Sequence, residues 1–159
     1  MSYSIVYSSR TGNTALLAQT IREALPAGDC LYFGAPDAHA LEADTIYVGF
    51  WTDKGTCDES IANFLQSVTG QKVFLFGTAG FGGAPAYFAQ ILERVEQNLK
   101  DTNMVGSYMC QGKMPEAVRS RYLAMEESPR RTAMRENFEQ ALSHPAAQEL
   151  ARLKEAVAR

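Results

Sequence analysis

The chain has 159 residues, of which 46% are hydrophobic and 21% are charged, and its formal net charge is −3 at pH 7. This composition is typical of one soluble globular domain, and a run of about 18 apolar residues, which a membrane span would need, is absent. Three widely spaced cysteines and two histidines offer neither a disulfide framework nor a metal site, so we expect a cytoplasmic protein without a bound metal.

Residues 5–21 carry the strongest local signal of the chain. A strand is predicted at about 3–8, and apolar residues at helical spacing predict a helix at about 13–25. Between the two lie a glycine, an amide and four hydroxyl side chains: Gly12, Asn13, Ser8, Ser9, Thr11 and Thr14. A strand that enters a helix through such a turn directs unpaired backbone N–H groups and the positive end of the helix dipole at one point. The segment therefore predicts a phosphate-binding loop.

This loop differs from the two common nucleotide-binding loops. The Gly-x-Gly-x-x-Gly pattern of dinucleotide-binding turns is absent, and no Gly-Lys-Ser/Thr follows, as a P-loop would require. Arg10 is the only nearby cation, so neutral donors dominate, which suits a single terminal monophosphate. A capped helix without a ligand would have the same local sequence, and this alternative stays open.

Four further strands are predicted, with helices between them. The strands lie at about 29–33, 45–50, 72–77 and 104–110. A brief helix at most is expected within 34–44, a second helix follows Asp58-Glu59, and a third lies at about 85–100. Strands that are apolar on both faces are typical of a parallel sheet covered by helices on both sides. Ligands of such sheets bind beyond the carboxyl ends of the strands.

The segments after the third and fourth strands suit a planar ligand. Trp51, the only tryptophan, opens the first of these segments, and Phe81 lies among glycines in the second. Either aromatic residue could instead be ordinary packing. Three loops with ligand-binding character at the ends of three strands nevertheless indicate one common site.

The last third of the chain predicts three more helices. Pro115 suits the first turn of a helix. Ser128-Pro129 and Ser143-His144-Pro145 each have the composition of a helix start in which serine caps the helix and proline fits its first turn. The predicted helices lie near 115–126, 129–142 and 145–158. We expect a single domain over 1–159, with a core at about 1–127 and a helical C-terminal extension at about 128–159.

Charge is distributed unevenly along the chain. Residues 1–112 have a net charge of −5, whereas residues 113–159 have a net charge of +2. The basic side chains of the extension are either a solvated helix face or a contact surface. As a contact surface they could bind an acidic partner, or they could join two copies of the chain in a homodimer through the C-terminal helices.

At the phosphate loop the chain resembles the flavodoxin family. The positions that carry the resemblance are Tyr7, Ser9, Gly12, Thr14 and Ala18. The resemblance covers about residues 3–112 and implies an α/β fold, the flavodoxin-like three-layer sandwich with a five-stranded parallel sheet in the order 2-1-3-4-5. It also implies FMN as the cofactor, with its phosphate at the first loop and its isoalloxazine ring between the loops after strands 3 and 4.

The resemblance further implies a set of cofactor-binding residues and no catalytic residue. In the phosphate loop these are Ser9, Arg10, Thr11, Gly12, Asn13 and Thr14. In the two later loops they are Trp51, Thr52, Asp53, Lys54, Gly55, Thr78, Ala79, Gly80, Phe81, Gly82 and Gly83. Trp51 and Phe81 are the candidates for stacking on the flavin, and Gly55 is the hinge at which a backbone carbonyl would rotate with the flavin's redox state. Lys54 is either a cation beside the ring or a solvated side chain.

The function that the resemblance implies is electron transfer. An FMN-binding carrier would shuttle low-potential electrons between a reductase and an acceptor enzyme, without a nucleic acid or membrane partner. Two alternatives stay open: an FMN-dependent NAD(P)H or quinone oxidoreductase, and a flavin-free interaction module with the same fold. Residues 51–59 and 110–115 also resemble short flavodoxin-like proteins of anaerobes, some of which are similar to accessory proteins of tetrapyrrole reductases. Flavodoxins are usually more acidic than this chain, which bears on the choice of partner.

Overall fold

The computed structural model describes residues 1–81, 84–100 and 103–158. These residues form the strands β1 (Tyr3–Tyr7), β2 (Cys30–Gly34), β3 (Thr45–Asp53), β4 (Thr56–Cys57), β5 (Lys72–Ala79) and β6 (Met104–Gln111). They form the helices α1 (Asn13–Ala24), α2 (Glu59–Leu65), α3 (Pro85–Glu96), α4 (Glu116–Leu123), α5 (Pro129–Ala141) and α6 (Ala147–Val157). Within these ranges no helix has the length and apolar character that a membrane crossing would need.

Five strands form a parallel sheet in the order β2-β1-β3-β5-β6. The predicted order 2-1-3-4-5 is confirmed, because the two-residue β4 only pairs antiparallel with the end of β3. After β1 the chain adds β2 on one side and then crosses to add β3 on the other side. The point where the strand order reverses therefore lies between the carboxyl ends of β1 and β3, where sheets of this type bind ligands.

Helices cover both faces of the sheet, as the apolar strands predict. On one face α2 and α3 contribute Ile61, Leu65, Ile91 and Val95 to a buried cluster that includes Val48 and Leu75. On the other face α1 and α6 contribute Leu17, Ile21, Leu153 and Val157 to a cluster that includes Ile5 and Phe76. The molecule therefore has three layers, and α1 and α6 share one of them.

Two phenylalanine rings fix the packing of β3 against β5 near the carboxyl ends of these strands. Gly49 lies opposite Phe76 and Phe50 lies opposite Gly77 in the parallel register. A Cβ atom at either glycine would lie 2.3 Å from a carbon of the opposing ring. Each fully buried ring therefore lies across a glycine of the neighbouring strand, once on each face of the sheet. This close approach requires glycine at both positions.

The C-terminal helices differ from the expected extension. The predicted core ends at about residue 127, but the side chain of Leu153 is fully buried and Val157 is 6% exposed. Both belong to the cluster that α1 forms with the sheet, and the Tyr108 hydroxyl of β6 donates a hydrogen bond to the Glu149 carbonyl at 2.8 Å. One face of the sheet needs two helices to cover it, and α6 takes the second place. The core therefore extends to Val157, and α4 and α5 form an insertion between β6 and α6.

Of the two helix starts predicted with a serine cap, one is confirmed and the other is not. Ser128 caps α5 as predicted, because its hydroxyl accepts a hydrogen bond from the Arg131 N–H at 3.1 Å. The start predicted at Ser143 is wrong: the hydroxyl of Ser143 donates to the Gln140 carbonyl, and α6 begins at Ala147. There the side chain of Glu149 accepts the Ala146 N–H at 2.7 Å, so a carboxylate within the first turn caps this helix.

Candidate cofactor-binding site

The loops after β1, β3, β5 and β6 surround a cavity of about 290 Å³ at the carboxyl edge of the sheet. The predicted site residues that line it are Arg10, Thr11, Asn13, Trp51, Thr52, Asp53, Lys54, Gly55, Thr78, Ala79, Gly80 and Phe81. Ser9, Gly12 and Thr14 lie beside this lining, and Gly82 and Gly83 lie outside the described residues. The structure thus brings the three predicted loops to one place.

The phosphate loop offers unpaired donors at the start of α1. The Ser9 hydroxyl accepts hydrogen bonds from the N–H groups of Gly12 at 3.1 Å and Ala15 at 3.2 Å, which folds the loop against the helix. The first N–H groups of a helix have no acceptor within the helix. Those of Asn13 and Thr14 have no hydrogen-bond partner among the described residues. An anion at this position would satisfy them and would interact favourably with the helix dipole.

Thr14 has a different position from the one expected of a phosphate ligand. Its side chain is 1% exposed, and its hydroxyl donates to the Phe50 carbonyl at 3.0 Å and lies 3.2 Å from the Thr78 hydroxyl. The threonine therefore joins the start of α1 to the carboxyl ends of β3 and β5. The Phe50 carbonyl belongs to the β3–β5 ladder, and the Thr14 hydroxyl adds a side-chain donor to it.

A second connection joins the phosphate loop to the loop after β6. The Asn13 side-chain amide donates to the Lys113 carbonyl at 2.7 Å and to the Thr11 hydroxyl at 2.8 Å. The Thr11 hydroxyl also donates to the Lys113 carbonyl, at 3.2 Å. Residues about 100 positions apart thereby fix the same loop. No sequence motif signals this contact, because one of its partners is a backbone carbonyl.

The segment after Phe50 is a hairpin rather than the predicted loop. β3 continues to Asp53, and Thr52 and Asp53 pair with Cys57 and Thr56 of β4. Lys54 and Gly55 form the turn with φ angles of 52° and 85°, a combination that suits a tight hairpin. The positive φ of Gly55 is what the predicted hinge requires, whereas the rotation of a carbonyl there stays a prediction. Arg94 of α3 holds the turn, because its guanidinium donates to the Gly55 carbonyl at 3.1 Å.

Aromatic side chains line the cavity on more than one side. Trp51 is half-buried, and the guanidinium carbon of Arg10 lies 5.4 Å from the centroid of its ring, as in a cation–π contact. Phe81 is 43% exposed, so it presents an apolar edge to solvent. Tyr87, in the first turns of α3, is a third lining aromatic that the sequence analysis missed. Its position within a helix gave no loop signal.

The loop after β6 and the insertion complete the cavity. Lys113, Met114, Pro115 and Val118 line it, and none of them was predicted as a site residue. The Gly80 carbonyl accepts hydrogen bonds from the side-chain amides of Gln111 at 3.0 Å and Asn137 at 3.1 Å. Asn137 lies in α5, so the insertion fixes the backbone at Gly80, directly after β5, and does more than extend the surface.

The buried cysteines lie outside the cavity lining and favour the protonated form. Burial raises the pKa of the Cys57 thiol to about 11, with the neighbouring Asp58 adding to the effect. Burial raises the pKa of Cys110 still further, and Glu149 adds to it. Both groups are therefore neutral thiols near pH 7, and this disfavours a role as redox or nucleophilic cysteines.

The rate of alkylation should differ among the cysteines, because Cys57 and Cys110 are buried and Cys30 is only partly buried. Because thiolate is the reactive form, an increase in pKa from 9.0 to about 11 should slow the reaction of Cys57 with iodoacetamide at pH 8 by about 100-fold relative to an ordinary thiol. Cys30, which is only partly buried, should be modified first. Peptide mapping by mass spectrometry measures the order, and modification of Cys57 before Cys30 would contradict the burial that the fold assigns.

The fold and the cavity together define a class of protein. A doubly wound α/β sheet with an anion-binding loop and an aromatic-lined cavity at its switch point is a cofactor-binding protein of the nucleotide type. Within that class the chain belongs to the flavodoxin family, because the family's flavodoxin domain profile matches residues 4–158. The match includes α6, in agreement with the position of that helix in the core.

Two similar proteins are each named flavodoxin-like domain-containing protein BilS. The protein from Clostridium symbiosum (strain WAL-14163) is 40% identical over 167 residues, covering 91% of this chain and 88% of the relative. The protein from Clostridioides difficile (strain CD3) is 33% identical over 158 residues, covering 92% of this chain and 88% of the relative. Both relatives therefore match the chain over nearly its full length.

Solved structures agree on the fold. A short-chain flavodoxin associated with a bacterial microcompartment superposes with a TM-score of 0.54 at 18% identity, covering 88% of this chain and 97% of that one. A flavoprotein from Lactobacillus acidophilus NCFM, solved in complex with FMN, gives a TM-score of 0.52 at 16% identity, covering 69% of this chain and 93% of that one. At these identities the similarity establishes the architecture.

Proposed function

We propose that the protein binds FMN and carries electrons between a reductase and an acceptor enzyme. One observation carries this proposal: the unpaired N–H groups of Asn13 and Thr14 and the ring of Trp51 lie at the same edge of the sheet, around one cavity. FMN has one terminal monophosphate and one planar ring, so a single anion-binding loop beside an aromatic-lined cavity fits it. Bound FMN supplies the redox chemistry, since it accepts and releases electrons singly or in pairs.

The chain's own residues would bind and orient the cofactor. The backbone of the phosphate loop, with the hydroxyl of Ser9 and the guanidinium of Arg10, would hold the phosphate without a P-loop lysine. Trp51, Tyr87 and Phe81 would provide the apolar surfaces around the ring. The backbone of Gly80, whose carbonyl binds Gln111 and Asn137, would border the ring on one side.

The composition of the cavity favours a carrier over an enzyme with its own substrate. Among the described residues its lining contains no histidine, cysteine or serine, the side chains that most often act as general bases or nucleophiles. The chain also belongs to the flavodoxin family, and its BilS relatives are named as flavodoxin-like. Electron transfer needs a bound cofactor and access for a partner, and it requires no catalytic side chain.

Two measurements on the purified protein test this function. Heat-released cofactor should co-migrate with FMN, and release of FAD would contradict the proposed site. Under anaerobic conditions NADH and NADPH should reduce the holoprotein very slowly unless a reductase is added. Rapid reduction by either nucleotide alone would identify an oxidoreductase instead. Because of the resemblance to accessory proteins of tetrapyrrole reductases, such an enzyme is the first acceptor to assay.

Trp51 provides an optical test of where the ring binds. As the only tryptophan of the chain, it reports on this cavity without interference from others. Contact with the isoalloxazine ring should quench its fluorescence strongly, and removal of FMN should restore the emission. A titration of the flavin-free protein with FMN measures both the quenching and the dissociation constant. Unchanged emission at saturation would place the ring away from the hairpin.

A further inference from the structure

Three separate loops each bring a cation to the opening of the cavity. Arg10 follows β1, Lys54 lies in the hairpin turn after β3, and Lys113 follows β6, and all three side chains are exposed. Among the described lining residues Asp53 is the sole acidic side chain. Without the cofactor the lining therefore has an excess of two positive charges, although the whole chain has a net charge of −3. When the phosphate of FMN binds beside Arg10, Lys54 and Lys113 remain as the exposed cations of the opening. We name the surface formed by these three cations and the exposed Phe81 the cationic rim.

The cations of the rim are not neutralised locally. The ion pairs within the described residues join His39 to Glu42, Arg119 to Glu116 and Glu139, and His144 to Glu149, so Arg10, Lys54 and Lys113 take part in none of them. Arg94 adds a fourth cation beside the rim, because its guanidinium is bonded to the carbonyl of the hairpin turn rather than to a carboxylate. Cations that converge from different elements are unlike the solvated face of one helix.

Two basic residues of the C-terminal helices are engaged within the molecule. Arg119 lies 3.2 Å from a carboxylate oxygen of Glu139, and the Arg131 side chain donates to the Tyr122 carbonyl at 3.2 Å. Arg135 lies beside Glu136 and Glu139 on α5. Acidic neighbours and internal contacts thus reduce the positive field of this region. The rim differs from this region because its cations come from three separate loops around one cavity.

We infer that the cationic rim is the docking surface for an acidic face of the partner redox protein. This inference rests on the proposed function, since electrons leave the cofactor through the open side of the cavity. The exposed ring of Phe81 supplies an apolar contact of the kind that interfaces use at their centre. The surrounding cations orient an acidic partner and speed its association, and salt weakens this effect.

A first experiment measures the charge of the rim without the cofactor. In the flavin-free full-length chain, Trp51 fluorescence is quenched by iodide and, separately, by caesium at low ionic strength. A cationic rim concentrates iodide and excludes caesium, relative to a free tryptophan derivative under the same conditions. Two unit charges roughly 8 Å from a monovalent ion change its local concentration about fourfold. Lys54→Gln/Lys113→Gln should therefore lower the iodide quenching constant about three- to fivefold and raise that of caesium.

A second experiment measures electron transfer to proteins of known charge. The FMN-loaded protein, reduced to FMNH₂, is mixed with the acidic cytochrome b5 or the basic cytochrome c. Each ferric haem takes one electron, so two haems return one FMNH₂ to FMN and two protons pass to solvent. Transfer to cytochrome b5 should slow as salt rises, and Lys54→Gln/Lys113→Gln should slow it about fivefold or more at low salt. The ratio of the rate with cytochrome b5 to the rate with cytochrome c should fall by at least the same factor, whereas a general effect of the variant on the bound cofactor would change both rates together.

A matched variant separates local charge from net charge. Lys72→Gln/Lys154→Gln removes two exposed lysines outside the lining and makes the same change in net charge. It should leave both the quenching constants and the cytochrome rates near the parent values. Equal effects of the two double variants would contradict the proposed docking surface. So would a caesium quenching constant that exceeds the iodide constant in the parent, when each is expressed relative to the free tryptophan derivative. The quenching does not depend on bound FMN, so failure of the proposed function and failure of the rim give different results.

Discussion

Leu153→Ala should lower the free energy of unfolding by about 2–5 kcal/mol, as for a leucine in the centre of a core. The side chain is fully buried and belongs to the cluster that α1 and α6 form with β1 and β5. Truncation removes the transfer free energy of the side chain and leaves a cavity between helix and sheet. Urea denaturation of the flavin-free protein, followed by circular dichroism, measures the change without a contribution from bound ligand.

The chain offers a matched control for this substitution in Leu142, just after α5. Its side chain is 45% exposed, so Leu142→Ala removes the same atoms from a position that is already partly hydrated. We expect this variant to lose less than about 1 kcal/mol. Similar losses for both variants would mean that α6 is not docked on the sheet in solution. A loss confined to Leu153→Ala would extend the folded core to the last helix.

The sequence predicted the sheet well because each strand has a local signature. Apolar runs bounded by glycine and polar residues marked all five parallel strands, and the phosphate loop marked the end of the first. The position of α6 has no such signature. Its leucines and valine indicate an amphipathic helix, but the periodicity does not say which face of the sheet that helix covers. The position of α6 depends on the tertiary fold, in which α1 covers only part of one face of the sheet and α6 covers the rest.

The hairpin after β3 shows a second limit of local reasoning. Asn-Gly or Asp-Gly is the usual signal for a two-residue turn with positive φ at both positions. Here the first position is Lys54, with a φ of 52°, and lysine gives no such signal. The contacts around the turn, above all the hydrogen bond from Arg94 to the Gly55 carbonyl, hold a conformation that the local sequence alone does not favour.

Contacts made by backbone carbonyls account for some of the site residues that were missed. Lys113 binds the side chains of Thr11 and Asn13 through its carbonyl oxygen, and any residue type can provide that atom. Gln111 and Asn137 were missed in the same way, because their side-chain amides bind the carbonyl of the predicted site residue Gly80. Sequence patterns identify side chains with suitable chemistry, whereas these contacts depend on which loops the fold places side by side.

Replacing both Ser9 and Thr14 by alanine should weaken FMN binding by about 1–3 kcal/mol, the range for lost hydrogen bonds to a charged group. This corresponds to an increase of about 5- to 150-fold in the dissociation constant. Titration of flavin-free protein with FMN, followed by quenching of Trp51 emission, measures the change. An unchanged dissociation constant would place the phosphate away from this loop.

The structure further predicts that one single variant mainly lowers the affinity for FMN and the other mainly lowers the stability of the protein. The Ser9 hydroxyl fixes the N–H groups of Gly12 and Ala15, so Ser9→Ala should account for most of the loss in affinity while changing stability little. The Thr14 hydroxyl is buried against the Phe50 carbonyl, so Thr14→Ala should cost about 0.5–1.5 kcal/mol of stability by removing a buried hydrogen bond. Ser67→Ala, which removes an exposed hydroxyl outside the phosphate loop, is the control for both. If Thr14→Ala instead weakens FMN binding as much as Ser9→Ala at unchanged stability, the hydroxyl of Thr14 must turn from Phe50 to the phosphate when the cofactor binds.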